Sequence, residues 1–363
     1  MANREKQILQ IIRRDPFIQQ QEIADILGIS RSCVAGHIMN LTKKGNVKGK
    51  GYILSENSYA VTVGAANMDV TSYVFSKLIY EDSNPGKNKS TAGGVGRNIA
   101  HNIALLGKES YLISVIGDDI YGKTLFEQTK LSGVYTDYLH QLSGKSTSTY
   151  HSLIDERGEM RIAVNDMDIL EQLTPALLSQ SQSLIQNAGV LIIDCNLTED
   201  ALEWLFNHAG NIPIFVDTVS TFKANKIRHW LSYIHTLKPN RLEAEILSGI
   251  KMTTLADATD VAAWFHQQGV QRLALSLGTE GVYYSEMGGA AGRSPAIPTN
   301  IVNANGAGDA MMAGLAYCWL EGMALEESIR FSQGCSALTL SSELTNYPNL
   351  SCSRVKKLLE LTS

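Results

Sequence analysis

From residue 59 onward the chain alternates short apolar segments with longer segments of helical periodicity. Apolar runs of this length indicate strands buried on both faces, and the helices between them act as crossovers in a parallel sheet. The alternation therefore predicts an α/β fold with a doubly wound, mostly parallel sheet that binds ligands at the carboxyl ends of its strands. We expect strands at residues 59–65, 111–116, 190–195, 212–217, 234–238 and 272–277, and early helices at 95–106 and 121–131.

Two stretches interrupt this alternation. Residues 71–90 are polar and predict an irregular segment, whereas residues 146–154 and 160–164 alternate like an antiparallel hairpin around Glu156-Arg157-Gly158-Glu159. We expect the pieces at about 68–92 and 146–166 to form a small β sheet that stands off the main one as a lid over the active site.

The first 55 residues have a different pattern. Three short helices are predicted, with a turn at Gly28 and an N-cap at Ser30 before the third. Ala24 and Val34 fall where a helix-turn-helix needs a small residue at the helix crossing and an apolar anchor in the second helix. A hairpin with a basic tip is predicted at 46–54. Residues 1–55 thus resemble the winged helix-turn-helix of bacterial regulators, ahead of a second domain at 58–363.

Charge supports a nucleic-acid-binding role for this head. Residues 1–54 carry nine Lys or Arg against four Asp or Glu, whereas the remainder carries 22 against 32. We expect Arg31 and Ser32 on the exposed side of the recognition helix, and Lys43, Lys48 and Lys50 against phosphates. The alternative is that the head only dimerises the protein or docks on its own body.

Composition sets broader limits. A chain of 363 residues with 44% hydrophobic and 18% charged residues is typical of a soluble globular protein of two or three domains. Its five cysteines are odd in number and lack metal-ligand spacing, which argues against disulfide or zinc frameworks. Without an apolar signal core or a run of roughly 20 apolar residues, we expect a cytoplasmic protein.

The segment Asn303–Ala310 carries the strongest chemical signal. Gly306, Ala307 and Gly308 leave backbone amides bare at the start of a helix, where the helix dipole favours an anion such as a transferring phosphoryl group. The carboxylate of Asp309 in the first turn is suited to take a proton from an attacking hydroxyl. An anion site beside a base is what phosphoryl transfer to an alcohol requires, although a Gly-rich helix start can also be a simple tight turn.

Four other motifs fall at expected strand ends or helix starts. Asp69 follows the first strand, and Gly94 and Asn98 lie in a Gly-rich helix start that allows close approach of a ligand. Asn240 and Glu243 begin a helix three residues apart on the same side, an arrangement that is also a common helix cap. Ser276 and Gly278 lie in a strand-end turn suited to a nucleotide.

In this order and spacing, the motifs resemble those of the ribokinase-like (PfkB) family of sugar and nucleoside kinases across residues 58–363. Residues 93–107 match the family's first signature and residues 302–314 its second. Within the family, segments 82–87, 93–100, 164–167, 237–245 and 306–315 are similar to the pseudouridine-kinase branch. The resemblance implies an ATP- and magnesium-dependent kinase that phosphorylates the 5′-hydroxyl of pseudouridine or a close ribonucleoside.

The resemblance also implies a role for each motif. Asp309 would be the base, and the amides of Gly306, Ala307 and Gly308 would hold the phosphoryl group. Asp69 and Asn98, with the backbone of Gly94, would bind the ribose hydroxyls. Asn240 and Glu243 would organise the magnesium ion and the phosphates through water. Ser276 and Gly278 would line the ATP site. On the expected lid, Asn165 is a candidate to contact a base.

The chain departs from the family pattern at Asn303. An Asp at this point commonly helps to bind a monovalent cation, so a potassium requirement is left open. The base specificity is also open, with another nucleoside or a free pentose as alternatives. A different class of function is a ligand-sensing DNA-binding regulator built on a kinase fold. Family habit suggests a homodimer formed through the lids.

Overall fold

The computed structural model describes residues 3–48 and 59–361. The head consists of three helices, α1 (Asn3–Arg14), α2 (Gln20–Leu27) and α3 (Arg31–Lys43), around an apolar core. Ala24 and Val34 are buried in that core, Gly28 adopts a left-handed φ of 61°, and the Ser30 hydroxyl accepts from the Cys33 amide. The predicted helix-turn-helix is confirmed. Most of the predicted hairpin at 46–54, including Lys50, lies outside the described residues.

The body is built on a nine-stranded sheet in the order β13-β12-β11-β10-β9-β8-β1-β4-β5. The pairs from β5 to β11 are parallel, and β12 and β13 add an antiparallel edge. This confirms the doubly wound, mostly parallel fold. The strands are β1 (Tyr59–Val63), β4 (Glu109–Gly117), β5 (Leu139–Leu142), β8 (Val190–Asp194), β9 (Ile214–Asp217), β10 (Thr236–Lys238), β11 (Arg272–Ser276), β12 (Val282–Glu286) and β13 (Ala291–Ser294).

Helices cover both faces of this sheet because side chains alternate along each buried strand. Val61 and Ile193 face one core, while Ala60 and Ile192 face the other. The α-helices of the body are α4 (Val95–Leu105), α5 (Ile120–Leu131), α6 (Pro175–Ser179), α7 (Gln182–Gln186), α8 (Glu199–His208), α9 (Thr221–Ala224), α10 (Arg241–Ser248), α11 (Asp257–Gln267), α12 (Ala307–Leu320), α13 (Leu325–Leu340) and α14 (Cys352–Leu361). Short 3-10 helices span Asp168–Gln172, Asn225–Tyr233 and Gly278–Glu280.

A second sheet of four strands has the order β3-β2-β6-β7. Its strands are β2 (Asn67–Val74), β3 (Gly86–Gly93), β6 (Thr149–Ile154) and β7 (Met160–Asp166). The predicted hairpin is confirmed as β6 and β7, which pair antiparallel. The prediction of an irregular segment at 71–90 is wrong, because β2 and β3 also pair there. Most of β3 is exposed, so its sequence carries none of the apolar alternation that indicates a strand.

The head contacts the body at the amino ends of β1 and β4. The Arg13 guanidinium lies 4.4 Å from the centre of the Tyr59 ring and forms an ion pair with Glu109. Next to it, Arg14 pairs with Asp137 at 2.7 Å. The contact therefore lies at the edge of the sheet opposite the carboxyl ends of its strands.

In the part of the chain that the structure describes, no helix is both long and apolar enough to cross a membrane.

Candidate active site

A buried carboxylate organises the carboxyl ends of the central strands. Asp194 ends β8 with no exposed surface, and its Oδ2 accepts from the amides of Ala65 and Gly96 at 2.8 Å each. A side chain at Gly64 would collide with this carboxylate, since a Cβ there would lie 2.3 Å from Oδ2. Burial raises the pKa of Asp194. Asp194 thus ties the end of β1 to the start of α4, which carries the Gly-rich motif.

Asp69 lies on β2 at the opening of the small sheet. Its carboxylate accepts from the Asn67 side-chain amide at 2.6 Å, and Gly93 leaves room for it, because a Cβ there would be 2.3 Å from Oδ2. Burial raises the pKa of Asp69 to about 6. A half-buried carboxylate with an unused oxygen is suited to bind a pair of hydroxyl groups.

The register of the small sheet aligns Asp69 with Asn165. Asp69 pairs with Tyr150 on β6, and Tyr150 pairs with Asn165 on β7. Residues directly opposite in neighbouring strands point to the same face, and two strand spacings amount to about 10 Å. Asn165 is exposed on that face. The two side chains could therefore contact opposite ends of one ligand of nucleoside size.

The start of α12 brings together Asp309 and the bare amides of its first turn. Gly306 caps the helix with a φ of 80°, and a Cβ there would lie 2.0 Å from the Thr345 carbonyl oxygen. The amides of Ala307 and Gly308 belong to the first turn, which has no intrahelical acceptors. Asp309 is buried, and its Oδ2 accepts from Asn98 Nδ2 at 2.9 Å. Burial raises the pKa of Asp309 to about 7, with a further contribution from Asp217.

A buried cation lies beside the first turn of α12. Lys238 ends β10, and its Nζ is 3.0 Å from Asp217 Oδ2. A Cβ placed on Gly308 would lie 3.4 Å from the same Nζ, so the ammonium group is adjacent to the first turn of α12. Burial opposes the charged form, but the carboxylate of Asp217 outweighs it and raises the pKa of Lys238. The ammonium group is therefore charged at neutral pH.

Asn240 and Glu243 form the N-terminal cap of α10. The Asn240 side chain accepts from the Glu243 amide at 2.9 Å, and the Glu243 carboxylate accepts from the Asn240 amide at 2.9 Å and from its Nδ2 at 2.8 Å. The Thr218 hydroxyl donates to the same carboxylate at 2.5 Å. Asn240 and Glu243 thus form a helix cap, and the predicted role as a ligand-binding pair would use the same arrangement.

These contacts bear on whether a magnesium ion fits. Within residues 3–48 and 59–361, no three His, Cys, Asp or Glu residues are grouped to hold a metal ion. Mg²⁺ keeps several waters and binds through one or two carboxylates plus substrate phosphates, so it needs no such group. Glu243 has both oxygens engaged by protein donors but retains lone pairs for a bound water. The residues therefore fit an ion held mainly by phosphates and water.

An open cavity of about 470 Å³ adjoins this cap. It is lined by Asn240, Arg241, Leu242, Ser276, Leu277, Gly278, Thr279 and Glu280. Ser276 bridges to Asn240 in parallel register, and its hydroxyl donates to the Pro239 carbonyl at 3.3 Å. Gly278 has a φ of 61° and begins the turn that forms one side of the cavity. Asn240, Ser276 and Gly278, three of the residues predicted for a nucleotide, thus line one cavity.

Asn303 and Gly94 have backbone roles. The Asn303 side chain donates to the Glu343 carbonyl at 3.1 Å and accepts from the Asn305 amide at 3.0 Å, which holds the turn before Gly306. Gly94 caps α4 with a φ of 97°, and a Cβ there would lie 2.4 Å from the Ala65 carbonyl oxygen.

On the head, the residues predicted to contact DNA lie on an exposed surface. Arg31, Ser32, Lys43 and Lys48 are all exposed; the first three lie on α3, and Lys48 follows it in the chain. Lys50 lies outside the described residues.

Sequence reasoning missed several groups of this site. Asp194, Asp217 and Lys238 each end a fully buried strand. A charged residue directly after an apolar run can be recognised in the sequence and could have indicated these three. Arg97 and Asn346 also contact the site, but neither has a sequence signal of its own.

Comparison with known proteins places the chain in a family. Residues 57–352 match the model of the pfkB family of carbohydrate kinases, and residues 1–48 match a winged helix-turn-helix DNA-binding model. The chain is 53% identical to the pseudouridine kinase of Escherichia coli K12 over 85% of this chain and 98% of that protein. It is 50% identical to the uncharacterized sugar kinase YeiI of the same organism, over 99% of this chain and 100% of that protein.

A solved structure agrees on the fold. Arabidopsis thaliana ribokinase complexed with ribose and ATP superposes with a TM-score of 0.71, covering 84% of this chain and 99% of that one at 23% identity. With a strand topology, a family model and a full-length relative in agreement, the chain belongs to the pfkB family of carbohydrate kinases, phosphotransferases whose acceptor is an alcohol group.

Proposed function

We propose that this protein is an ATP-dependent kinase that transfers the γ-phosphate to the 5′-hydroxyl of a ribonucleoside, most specifically pseudouridine. The observation that carries the proposal is the buried Asp309 at the first turn of α12, with a pKa of about 7 and a charged Lys238 beside it. The identity of 53% with a protein named pseudouridine kinase supports the choice of substrate.

In this mechanism Asp309 takes the proton of the 5′-hydroxyl as the oxygen attacks the γ-phosphorus. The new O–P bond forms while the bond to the β,γ-bridging oxygen breaks, and ADP leaves. The amides of Gly306, Ala307 and Gly308 hold the equatorial oxygens of the phosphoryl group in flight. Lys238 supplies positive charge at the same point, which offsets the charge on those oxygens. A pKa near 7 suits a base that works at neutral pH.

The acceptor is recognised by the row of side chains on the small sheet. Asp69 binds the ribose hydroxyls together with Asn98 and the Gly94 backbone, and Asn165 contacts the base about 10 Å away. A nucleoside lacking these hydroxyls would leave the second oxygen of the half-buried Asp69 without a partner, so deoxy analogues should bind poorly. In this proposal the sheet acts as a lid that excludes water.

The donor ATP occupies the cavity formed by Asn240, Ser276 and Gly278. Magnesium, when bound, neutralises phosphate charge, and Glu243 with Asn240 would orient it through water. The neutral Asn303, whose side chain is engaged with the backbone, predicts that turnover does not require potassium.

Purified protein with ATP, magnesium and a panel of ribonucleosides, deoxynucleosides and free pentoses tests the proposal. We expect a 5′-monophosphate from pseudouridine, and loss of turnover by at least a thousandfold in Asp309→Asn. Glu280→Gln, at the rim of the cavity, is the matched control and should keep acceptor specificity. Full activity of Asp309→Asn would reject Asp309 as the catalytic base. A pentose phosphate as the sole product would reject a nucleoside as the acceptor.

A second function, DNA binding by the head, is favoured by the family match and by the exposed side chains of α3. A single head with few basic residues binds weakly, so we propose that the dimer is the DNA-binding form. Gel-shift titration with the DNA upstream of the gene for this protein, with and without nucleoside, tests the proposed DNA binding. Affinity no greater than that of Arg31→Glu at any salt concentration would reject it.

The dimer is proposed to form through the small sheet. Ile162 and Val164 on the edge strand β7 are 58% and 60% exposed, on the opposite face from Asn165. An exposed apolar strand edge of this kind is a pairing site. We expect Ile162→Glu with Val164→Glu to convert a dimer into a monomer in analytical ultracentrifugation. Ala163→Glu, on the other face of the same strand, is the control, and an unchanged mass of the double variant contradicts this interface.

A further inference from the structure

A buried arginine stands behind the Asn98–Asp309 pair. Arg97 is 3% exposed, and its Nη1 donates to the side-chain oxygen of Asn98 at 3.2 Å, to that of Asn346 at 3.0 Å and to the Ala92 carbonyl at 3.2 Å. Its Nε donates to the Thr129 hydroxyl at 3.3 Å. Burying a guanidinium is costly unless it is hydrogen-bonded, so four acceptors around Nη1 and Nε indicate a specific structural role.

The chemistry of this array fixes the Asn98 carboxamide. A guanidinium carries only donors, so the side-chain oxygen of Asn98 must face Arg97. Its amino group then points the other way, to Asp309 Oδ2 at 2.9 Å. The reverse orientation would set amide hydrogens against Arg97 and an amide oxygen against a carboxylate, which is unfavourable at both ends.

Asn346 completes the array from another part of the chain. Its oxygen accepts from Arg97, and its amino group donates to the Asn98 carbonyl and the Asn102 side chain at 3.1 Å each. The preceding residue, Thr345, packs its carbonyl against Gly306. One loop therefore holds both the Gly-rich helix start of α4, through Arg97 and Asn98, and the start of α12.

We propose that Arg97, held by Asn346, is a positioning residue that locks the Asn98 amide toward Asp309, so that the base is oriented before substrate binds. The inference rests on the proposed role of Asp309. Asn98 occupies Oδ2, which leaves Oδ1 of Asp309 for the substrate hydroxyl. Without Arg97 the carboxamide of Asn98 can rotate, the donor to Asp309 is lost, and the base stays protonated to higher pH.

The test measures the titration of Asp309 in the protein without substrate, by NMR of aspartate labelled with ¹³C at the carboxyl carbon, assigned with Asp309→Asn. We expect Arg97→Met to raise the midpoint by about one pH unit, and the acid limb of kcat/KM to move with it while KM for ATP stays constant. Arg272→Met removes a part-buried arginine far from the site and is the control.

A double-mutant cycle separates orientation from simple charge removal. If Arg97 acts through Asn98, the Arg97→Met shift disappears in an Asn98→Ala background, whereas a direct charge effect persists there. A shift that persists, or no shift in a folded variant, overturns the inference. Arg97→Lys carries the same cycle if the Met variant does not fold, since an ammonium cannot reproduce the planar fork. Full turnover by Asp309→Asn would reject the proposed function and leave this cycle unaffected.

Discussion

At the scale of single residues, the site is a set of buried charges whose environments set their protonation. Asp309 and Asp69 have raised pKa values of about 7 and about 6 because burial disfavours their charged forms. Lys238 stays charged because Asp217 is its partner. A carboxylate with a raised pKa beside a charged ammonium group could combine a proton acceptor with a site that holds an anion.

The pKa of Asp309 makes a prediction about stability as well as rate. Asp309 has a pKa of about 7 in the folded state, and a carboxyl group has a pKa of about 4 in the unfolded state. At a pH between these two values, the group takes up a proton when the protein folds. Unfolding then releases a proton, so its stabilising contribution is present below about pH 4 and is lost as pH rises to about 7. Asp309→Asn should remove this loss and raise the melting temperature at pH 8.

Thermal unfolding of both proteins between pH 5 and pH 8 checks this expectation. The difference in the free energy of unfolding should grow with pH, up to about 4 kcal/mol for a shift of three pH units. Parallel curves for the two proteins would contradict a raised pKa.

Lys238 supports a second prediction at this scale. Lys238→Met leaves Asp217 buried without its cation, so we expect a loss of about 3–5 kcal/mol in stability and a large loss of kcat. Adding Asp217→Leu should recover stability, because the pair is then replaced by apolar groups, but not activity. Chemical denaturation with kinetics on all three proteins is the measurement. Recovery of kcat in the double variant would show that the ammonium group serves only the fold.

At the scale of elements, the six inner strands of the main sheet could be predicted because each has a continuous apolar run, whereas β5, β12 and β13 at its edges are less completely buried and were not predicted. The hairpin of β6 and β7 was predicted because its sequence alternates, even though β7 is exposed along its length, whereas β3 was missed because its sequence is polar and does not alternate. The motifs at strand ends could be located for the same reason. The array around Arg97 could not, since it joins residues 97 and 346 through a contact that no local pattern encodes.

The start of α12 makes a prediction at this scale. Gly306→Ala combines an unfavourable φ of 80° with a Cβ 2.0 Å from the Thr345 carbonyl, so the turn must move. We expect a loss of at least a hundredfold in kcat and about 1–3 kcal/mol in stability.

Gly322→Ala is the control, because it has a φ of 71° after the same helix but no atom within 4 Å of its Cβ. It should cost only the backbone strain and leave kcat near that of the unmodified protein. Equal kinetic effects from the two substitutions would mean that the close contact at Gly306 does not matter for the anion site.

At the scale of the whole molecule, the head and body are joined through Arg13. This guanidinium is 5% exposed against Glu109 and Tyr59, whereas the neighbouring Arg14 is 47% exposed in its pair with Asp137. We expect Arg13→Met to release the head and lower the stability of the body, because Glu109 and Tyr59 lose a buried partner. Arg14→Met should change stability by less than about 1 kcal/mol.

Small-angle scattering and thermal unfolding of both variants provide the check. A larger radius of gyration in Arg13→Met alone is the expected result. Equal radii for the two variants and the unmodified protein would show that this contact does not hold the head.

The position of that contact has a consequence for how the two halves could work together. The head joins the amino end of β1 at Tyr59, and the candidate site begins just past the other end of the same strand at Gly64. The head that we propose to bind DNA is therefore attached at the end of β1 opposite the candidate site. Occupying an operator and turning over substrate need not compete for space, so such a protein could catalyse its reaction while it stays on the chromosome.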